Sequence, residues 1–205
     1  MRTAAAACLV ALLLGGCEAV QAPKATYAPE KAGTVDRALC LLGFTAVPMR
    51  TLLSGHHIVD ARVNGKPASL IVDTGANATV LDAAAAKALG VGEGVSVPGI
   101  TAGVGGTLRA RMARAESIDV VGGDGADVRL RQRRVMIADL SGITATLSKV
   151  AGRPVHGIVG QDALAEHRAV IDVAGPVLFV QAEGRAPALV DPAGCGPVEA
   201  VAAKA

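Results

Sequence analysis

Asp73, Thr74 and Gly75 are the residues whose types and spacing most directly suggest chemistry. They lie in Ser69 to Leu81, "SLIVDTGANATVL", where a carboxylate closes the aliphatic run Leu70, Ile71, Val72. An isolated ionised carboxylate loses its hydration at the end of a buried strand, at considerable cost. Asp73 therefore either caps a turn at the surface or sits in a pocket where its charge has a use. Hydrolysis of a peptide bond without metal or covalent nucleophile offers such a use. It needs a base to activate water and an acid to protonate the carbonyl oxygen. Two carboxyl groups sharing one proton do both, because like charges in contact cannot both ionise.

Other constellations do not assemble. His56 and His57 are adjacent and point to opposite faces of a strand, so regular geometry does not let them grip one metal. His156 and His167 are isolated, and the sequence has no H-x-x-x-H, C-x-x-C or G-x-S-x-G. "GVGEGVSVPG", Gly90 to Gly99, lacks the spacing of a dinucleotide loop and reads as a loop after a helix. No metal ligand set and no cofactor is expected.

The elements that must position Asp73 read mostly as strands. Ile58 to Val63 alternates, with Val59, Ala61 and Val63 on one face and Asp60 and Arg62 on the other. Asn64-Gly65 is a strong hairpin signal, since both residues tolerate positive φ. Pro67 to Val72 is the returning strand. "LDAAAAKALG" reads as a short helix, capped by Asp82 and ended by Gly90. Leu108 to Val121 and Val128 to Ile137 are expected strands around a Gly-rich turn, and Ala138 to Pro154 has no clear period. Asp162 is a candidate cap for a second short helix after "HGIVGQDAL". Ala169 to Val173 and Val177 to Val180 form a last hairpin about Gly175-Pro176. Regularly spaced short strands with few helices argue for a small β-barrel.

The chain has 205 residues, enough for one domain with flanking sequence. Tyr27, Phe44 and Phe179 are the only aromatic residues, so the core must be aliphatic. A net charge of +2 does not point to nucleic acid, and Arg129, Arg131, Arg133 and Arg134 read as a solvated strand face with no stacking platform beside it. Arg2 followed by the apolar run Ala4 to Leu14 reads as a secretory signal, residues 1–16, too short to span a membrane stably. Its end, "LGGC", resembles the lipobox of bacterial lipoproteins, which makes Cys17 the expected lipidated N-terminus. By the same analogy Glu18 after it, rather than Asp, favours the outer membrane, so the expected place is the periplasm, anchored to the outer membrane through Cys17; the alternative is an ordinary signal peptide and a secreted soluble form. Residues 17–46 then act as lipidated N-terminus and flexible tether, 47–182 as the folded domain and 183–205 as a C-terminal tail. Cys40 and Cys195 remain, available for one disulfide in an oxidising compartment.

"NGKPASLIVDTGANATVLDAAAAKALG", "TAGVGG" and "HGIVGQDALAEHRAVIDV" together resemble the retropepsin-like aspartic proteases, especially their single-domain bacterial lipoprotein members. The resemblance covers about Val47 to Val180. It implies a mostly β fold, a closed small β-barrel with one or two short helices. It implies that Asp73 is catalytic, with Thr74 and Gly75 orienting it. Ala76 and the segment Gly157, Ile158, Val159 and Gly160 would support the catalytic loop from behind. Ala102, Gly103, Val104, Gly105 and Gly106 would form a flap over a bound peptide or protein substrate. No second Asp-Thr-Gly or Asp-Ser-Gly exists in the chain, so one protomer holds half a site and activity requires a homodimer. The alternative is a non-catalytic peptide-binding or structural envelope lipoprotein of the same fold.

Overall fold

The computed structural model describes residues 34–96, 110–123 and 127–182, together with Cys195. The expected signal, Cys17, most of the tether, the flap candidate Ala102 to Gly106 and the tail other than Cys195 lie outside the described residues. In chain order the elements begin with α1 (Thr34–Leu41), β1 (Phe44–Thr51), β2 (His57–Val63), β3 (Lys66–Val72), β4 (Val80–Asp82), α2 (Ala83–Ala88), β5 (Val95–Ser96) and β6 (Arg111–Arg114). They continue with β7 (Ile118–Val121), β8 (Asp127–Arg129), β9 (Arg134–Ala138), α3 (Ser141–Ala151), β10 (Gly157–Val159), α4 (Gln161–Glu166), β11 (Val170–Asp172) and β12 (Val177–Gln181). The mostly β class with short helices is as expected.

Local sequence accounts for the hairpin that carries the site. Asn64 and Gly65 take φ of 52° and 75°, which matches the twist of the flanking strands. β2 and β3 pair antiparallel from His57↔Val72 to Val63↔Lys66. Val59, Ala61, Val63, Ala68 and Leu70 turn into the main core with Val47, Leu81, Ile137 and Val159. Its aliphatic character is what the near absence of aromatic residues requires.

The sheet runs β11-β12-β1-β2-β3-β10-β4-β9-β6-β5, with β7 on β2 and β8 on β7. Among the described residues it does not close into the expected barrel, because closure needs the end strands to pair along a ladder and none joins β11 to β5. The described strands form an open path over the aliphatic core.

Further expectations change. Regular structure starts before Val47, because α1 and the first residues of β1 lie inside the stretch read as a tether. The described part of Leu108 to Val121 is not one strand but β6 and β7, separated at Ala115 to Ser117, and Val128 to Ile137 likewise divides into β8 and β9. The aperiodic stretch Ala138 to Pro154 contains α3, whose Leu147 and Ala151 pack on Leu52, Ile58, Ile71 and Val155. The arginines do not share one face: Arg129 in β8 pairs with Asp119 at 2.6 Å, whereas Arg134 opens β9. Cys40 of α1 and Cys195 are joined by a disulfide with Cα atoms 5.6 Å apart.

Candidate active site

The setting of Asp73 is built by two strands from distant parts of the chain. β10 lies parallel to β3, with Gly157↔Leu70, Ile158↔Ile71 and Val159↔Val72. On its other side β10 pairs antiparallel with β4. The Asp73 N–H donates to the Val159 carbonyl at 3.1 Å, so Asp73 extends the ladder one step beyond β3. Side chains alternate along a strand. Asp73 therefore shares the face of Ile71 and Ile158, opposite the face through which Leu70 enters the main core.

Asp73 Oδ1 accepts the Gly75 N–H at 2.8 Å, and the Asp73 carbonyl accepts the Ala76 N–H at 3.3 Å. A Cβ on Gly75 would stand 3.2 Å from that same oxygen, so a side chain there would crowd the carboxylate. Asp73 is half-buried and Thr74 and Gly75 are exposed. The charge is thus neither lost in the core nor left as an ordinary surface cap. It is half-buried and held by a backbone donor on one oxygen, with no further hydrogen bond to the carboxylate among the described residues.

Glycines behind the loop are required by contact distance. A Cβ at Gly157 would lie 2.3 Å from the Val80 carbonyl oxygen, and one at Gly160 would lie 2.4 Å from that of Ala78. Gly157, Ile158, Val159 and Gly160 thus run directly behind the loop that carries Asp73 and Ala76.

Three residues that sequence reasoning did not assign to the site tie this arrangement together. The Gln161 N–H donates to the Ala76 carbonyl at 2.7 Å, and Gln161 Nε2 donates to the Thr74 carbonyl at 2.5 Å. Asp162 does not cap α4; Gly160 holds that position without a side-chain bond. Its carboxylate instead accepts the Thr79 N–H at 3.0 Å and the Thr79 hydroxyl at 2.8 Å. Thr79 Oγ1 in turn accepts the Gly160 N–H at 3.3 Å. The available signal was a Gln-Asp pair immediately after the segment expected to lie behind Asp73.

His156 sits one step before β10. Its Nδ1 accepts the Ser69 N–H at 3.0 Å, and its carbonyl accepts the Asp82 N–H at 3.0 Å. Burial holds its imidazole pKa below the ordinary value of 6.5, because the charged ring is the form that loses hydration. Among the described residues no three His, Cys, Asp or Glu side chains cluster as a metal site would need.

An open cleft of about 330 Å³ adjoins the loop that carries Asp73 on the side of α4 and β11, lined by Thr74, Gln161, Leu164, Arg168 and Ile171 among others. Its lining is mostly apolar.

Comparison with known families bears on this geometry. The family described as "Aspartyl protease" matches residues 59–163, from β2 through the start of α4. The chain belongs to the aspartyl protease family. The protease is an aspartic-type hydrolase, as the resemblance of its Asp-Thr-Gly segment implied. Solved structures similar to the protease include the EIAV protease complexed with the inhibitor HBY-793, at 24% identity and a TM-score of 0.40, covering 58% of this chain and 95% of that one. A retropepsin-like aspartic protease from Rickettsia conorii is 18% identical with a TM-score of 0.43, covering 67% of this chain and 88% of that one. The retroviral protease-like domain of Ddi1 from Leishmania major is 17% identical with a TM-score of 0.40, covering 70% of this chain and 97% of that one. No curated protein matches the sequence of the protease.

Proposed function

We propose that the protein is a homodimeric aspartic endopeptidase that hydrolyses peptide bonds with one Asp73 from each subunit. The observation that carries this reading is the half-built state of the site. Asp73 has one carboxylate oxygen held by Gly75 and, among the described residues, no other hydrogen bond to its carboxylate, while the chain has a single Asp-Thr-Gly. A second Asp73 across a two-fold axis completes a pair that shares one proton. The ionised member takes a proton from a water held between them, and that water attacks the carbonyl carbon. The protonated member gives its proton to the carbonyl oxygen. On collapse the member that took the water's proton gives it to the leaving nitrogen as the C–N bond breaks, while the other member takes a proton from a hydroxyl of the tetrahedral intermediate, so a carboxylic acid and an amine leave and the singly protonated pair is regenerated.

Two features support a second copy on the Thr74 side. β11 ends the sheet and is bonded only to β12, so its outer edge is free among the described residues. Val170 and Val173 are 38% and 67% exposed along that edge, and the cleft beside Thr74 opens next to it. A free apolar edge is a template for strand pairing, and pairing two copies there brings their Thr74 loops together.

The test is cleavage of a mixed peptide library by the purified protein, from acid to neutral pH, beside Asp73→Asn and Val170→Lys. Expected is cleavage that Asp73→Asn abolishes, and a dimer by sizing that Val170→Lys shifts toward monomer with loss of rate. Cleavage by a strictly monomeric protein, or equal cleavage by Asp73→Asn, would overturn the reading. The apolar leader and "LGGC" further support periplasmic export and anchoring through a lipidated Cys17. Mass analysis of the mature N-terminus from membranes tests that, against an unlipidated terminus.

A further inference from the structure

Sheet register carries one face of the molecule outward from Asp73. Ile71 pairs with Ile158, Ile158 with Val80, Val80 with Met136 and Met136 with Met112. These five residues form a single row across five strands, on the face that Asp73 shares. Two residues further along each strand the next row comes level with Asp73. It passes through Gly160 and Ala78, whose backbones are in close approach, and reaches Arg134 and Arg114, which face each other directly across β9 and β6.

That pairing is unusual. Like charges directly opposite on an antiparallel ladder repel, and both arginines are exposed. Among the described residues the ion pairs are Arg62–Asp127, Arg129–Asp119 and Arg153–Asp60, and none includes Arg114 or Arg134. Glu116 and Asp119, the acidic residues nearest Arg114 in sequence, form no ion pair with it among the described residues. Two arginines paired across neighbouring strands can present two guanidinium groups to one carboxylate.

We propose that Arg114 and Arg134 form a carboxylate-binding position for an acidic side chain of the peptide substrate. This rests on the endopeptidase reading above and adds a substrate class to it. From Asp73 the arginine pair is three strand spacings away, β3 to β10 to β4 to β9, or about 14 Å. An extended peptide advances about 3.3 Å per residue, so the acidic residue lies about four residues from the scissile bond. Gly160 and Ala78 lie on that path, and the adjoining row of Ile158, Val80 and Met136, partly buried against Ala110, Ala138 and Leu140, gives it an apolar flank.

The test compares peptide pairs that differ only in Glu or Gln at the fourth position on either side of a cleaved bond. The full chain should prefer Glu over Gln at that position by on the order of tenfold in kcat/KM, on both sides of the bond because the two-fold axis repeats the arginine pair, as a charge-assisted hydrogen bond allows. In the Arg114→Gln, Arg134→Gln double variant the Glu-to-Gln ratio should fall to about one. Arg134→Glu should turn the preference toward Lys at that position. A wild-type ratio near one, or a ratio that persists in the double variant, overturns the proposal. If no peptide is cleaved, the endopeptidase reading has failed, and binding still decides the matter. Labelled Glu and Gln peptides are then titrated against the full chain by fluorescence anisotropy at low and high salt. Tighter binding of the Glu peptide that salt weakens and the double variant abolishes supports the position; equal binding overturns it.

Discussion

At the scale of single residues, His156 shows how burial sets a protonation state beside the loop that carries Asp73. Its Nδ1 accepts the Ser69 N–H, so the ring that fits is neutral, with its proton on Nε2. Burial lowers its pKa in the folded protein, and the unfolded chain takes up the proton first as pH falls. Stability linked to His156 is therefore complete above the ordinary histidine value of 6.5 and is lost as pH drops below it. Urea midpoints measured from pH 8 to pH 5 should fall across that window, and the fall should be shallower in His156→Gln. A midpoint that rises on acidification would contradict the assigned ring state. The consequence reaches function, because an aspartic dyad needs a proton while the strand supporting it is weakened by acid.

At the scale of elements, Asp82 does what a single capping residue rarely does. Oδ1 accepts the N–H groups of Ala84 and Ala85 at the start of α2. Oδ2 reaches the Leu140 N–H at the entrance to α3, in a buried bond of 3.1 Å. Asp82→Ala removes a cap and leaves a buried N–H without its acceptor, which together cost about 2–4 kcal/mol. Chemical denaturation measures that loss, and a change under about 0.5 kcal/mol, the level of an ordinary surface substitution, would count against this role. The cap on α2 was legible in "LDAAAAKALG", because capping is local and Ala favours helix. The bond to Leu140 was not, since it joins residues 58 apart. α3 itself was hidden for a related reason. "SGITATLSKVA" carries Gly, Thr, Ile and Val, which lower helix propensity, and its stability comes from Leu147 and Ala151 packing on strands far away. In the same way Asn64-Gly65 announced its hairpin, whereas the insertion of β10 between β3 and β4 depends on a parallel pairing that no local pattern encodes. Asp73 was legible as an anomaly of burial; Gln161 and Asp162, which lock its loop, acquire meaning only once β10 is in place.

At the scale of the whole molecule, the two ends of the described chain are covalently joined. Cys40 and Cys195 are 155 residues apart in sequence, and Arg37 Nη1 also donates to the Cys195 carbonyl at 3.4 Å. Cross-linking a loop of that length stabilises the fold by roughly 5 kcal/mol in the chain-entropy picture. For an endopeptidase the bond has a further meaning, because the enzyme is exposed to copies of itself. The β1–β2 turn places Leu53 fully in solvent, the kind of tip where nicking concentrates. A cut there falls inside the ring that Cys40 and Cys195 close, so both pieces stay tethered. Aged protein nicked at that turn should run as one band on a denaturing gel without reductant and as two bands with it. Two bands in the absence of reductant would mean that the ring is open. Self-inflicted damage that would sever the N-terminal piece of an uncrosslinked subunit leaves this one whole.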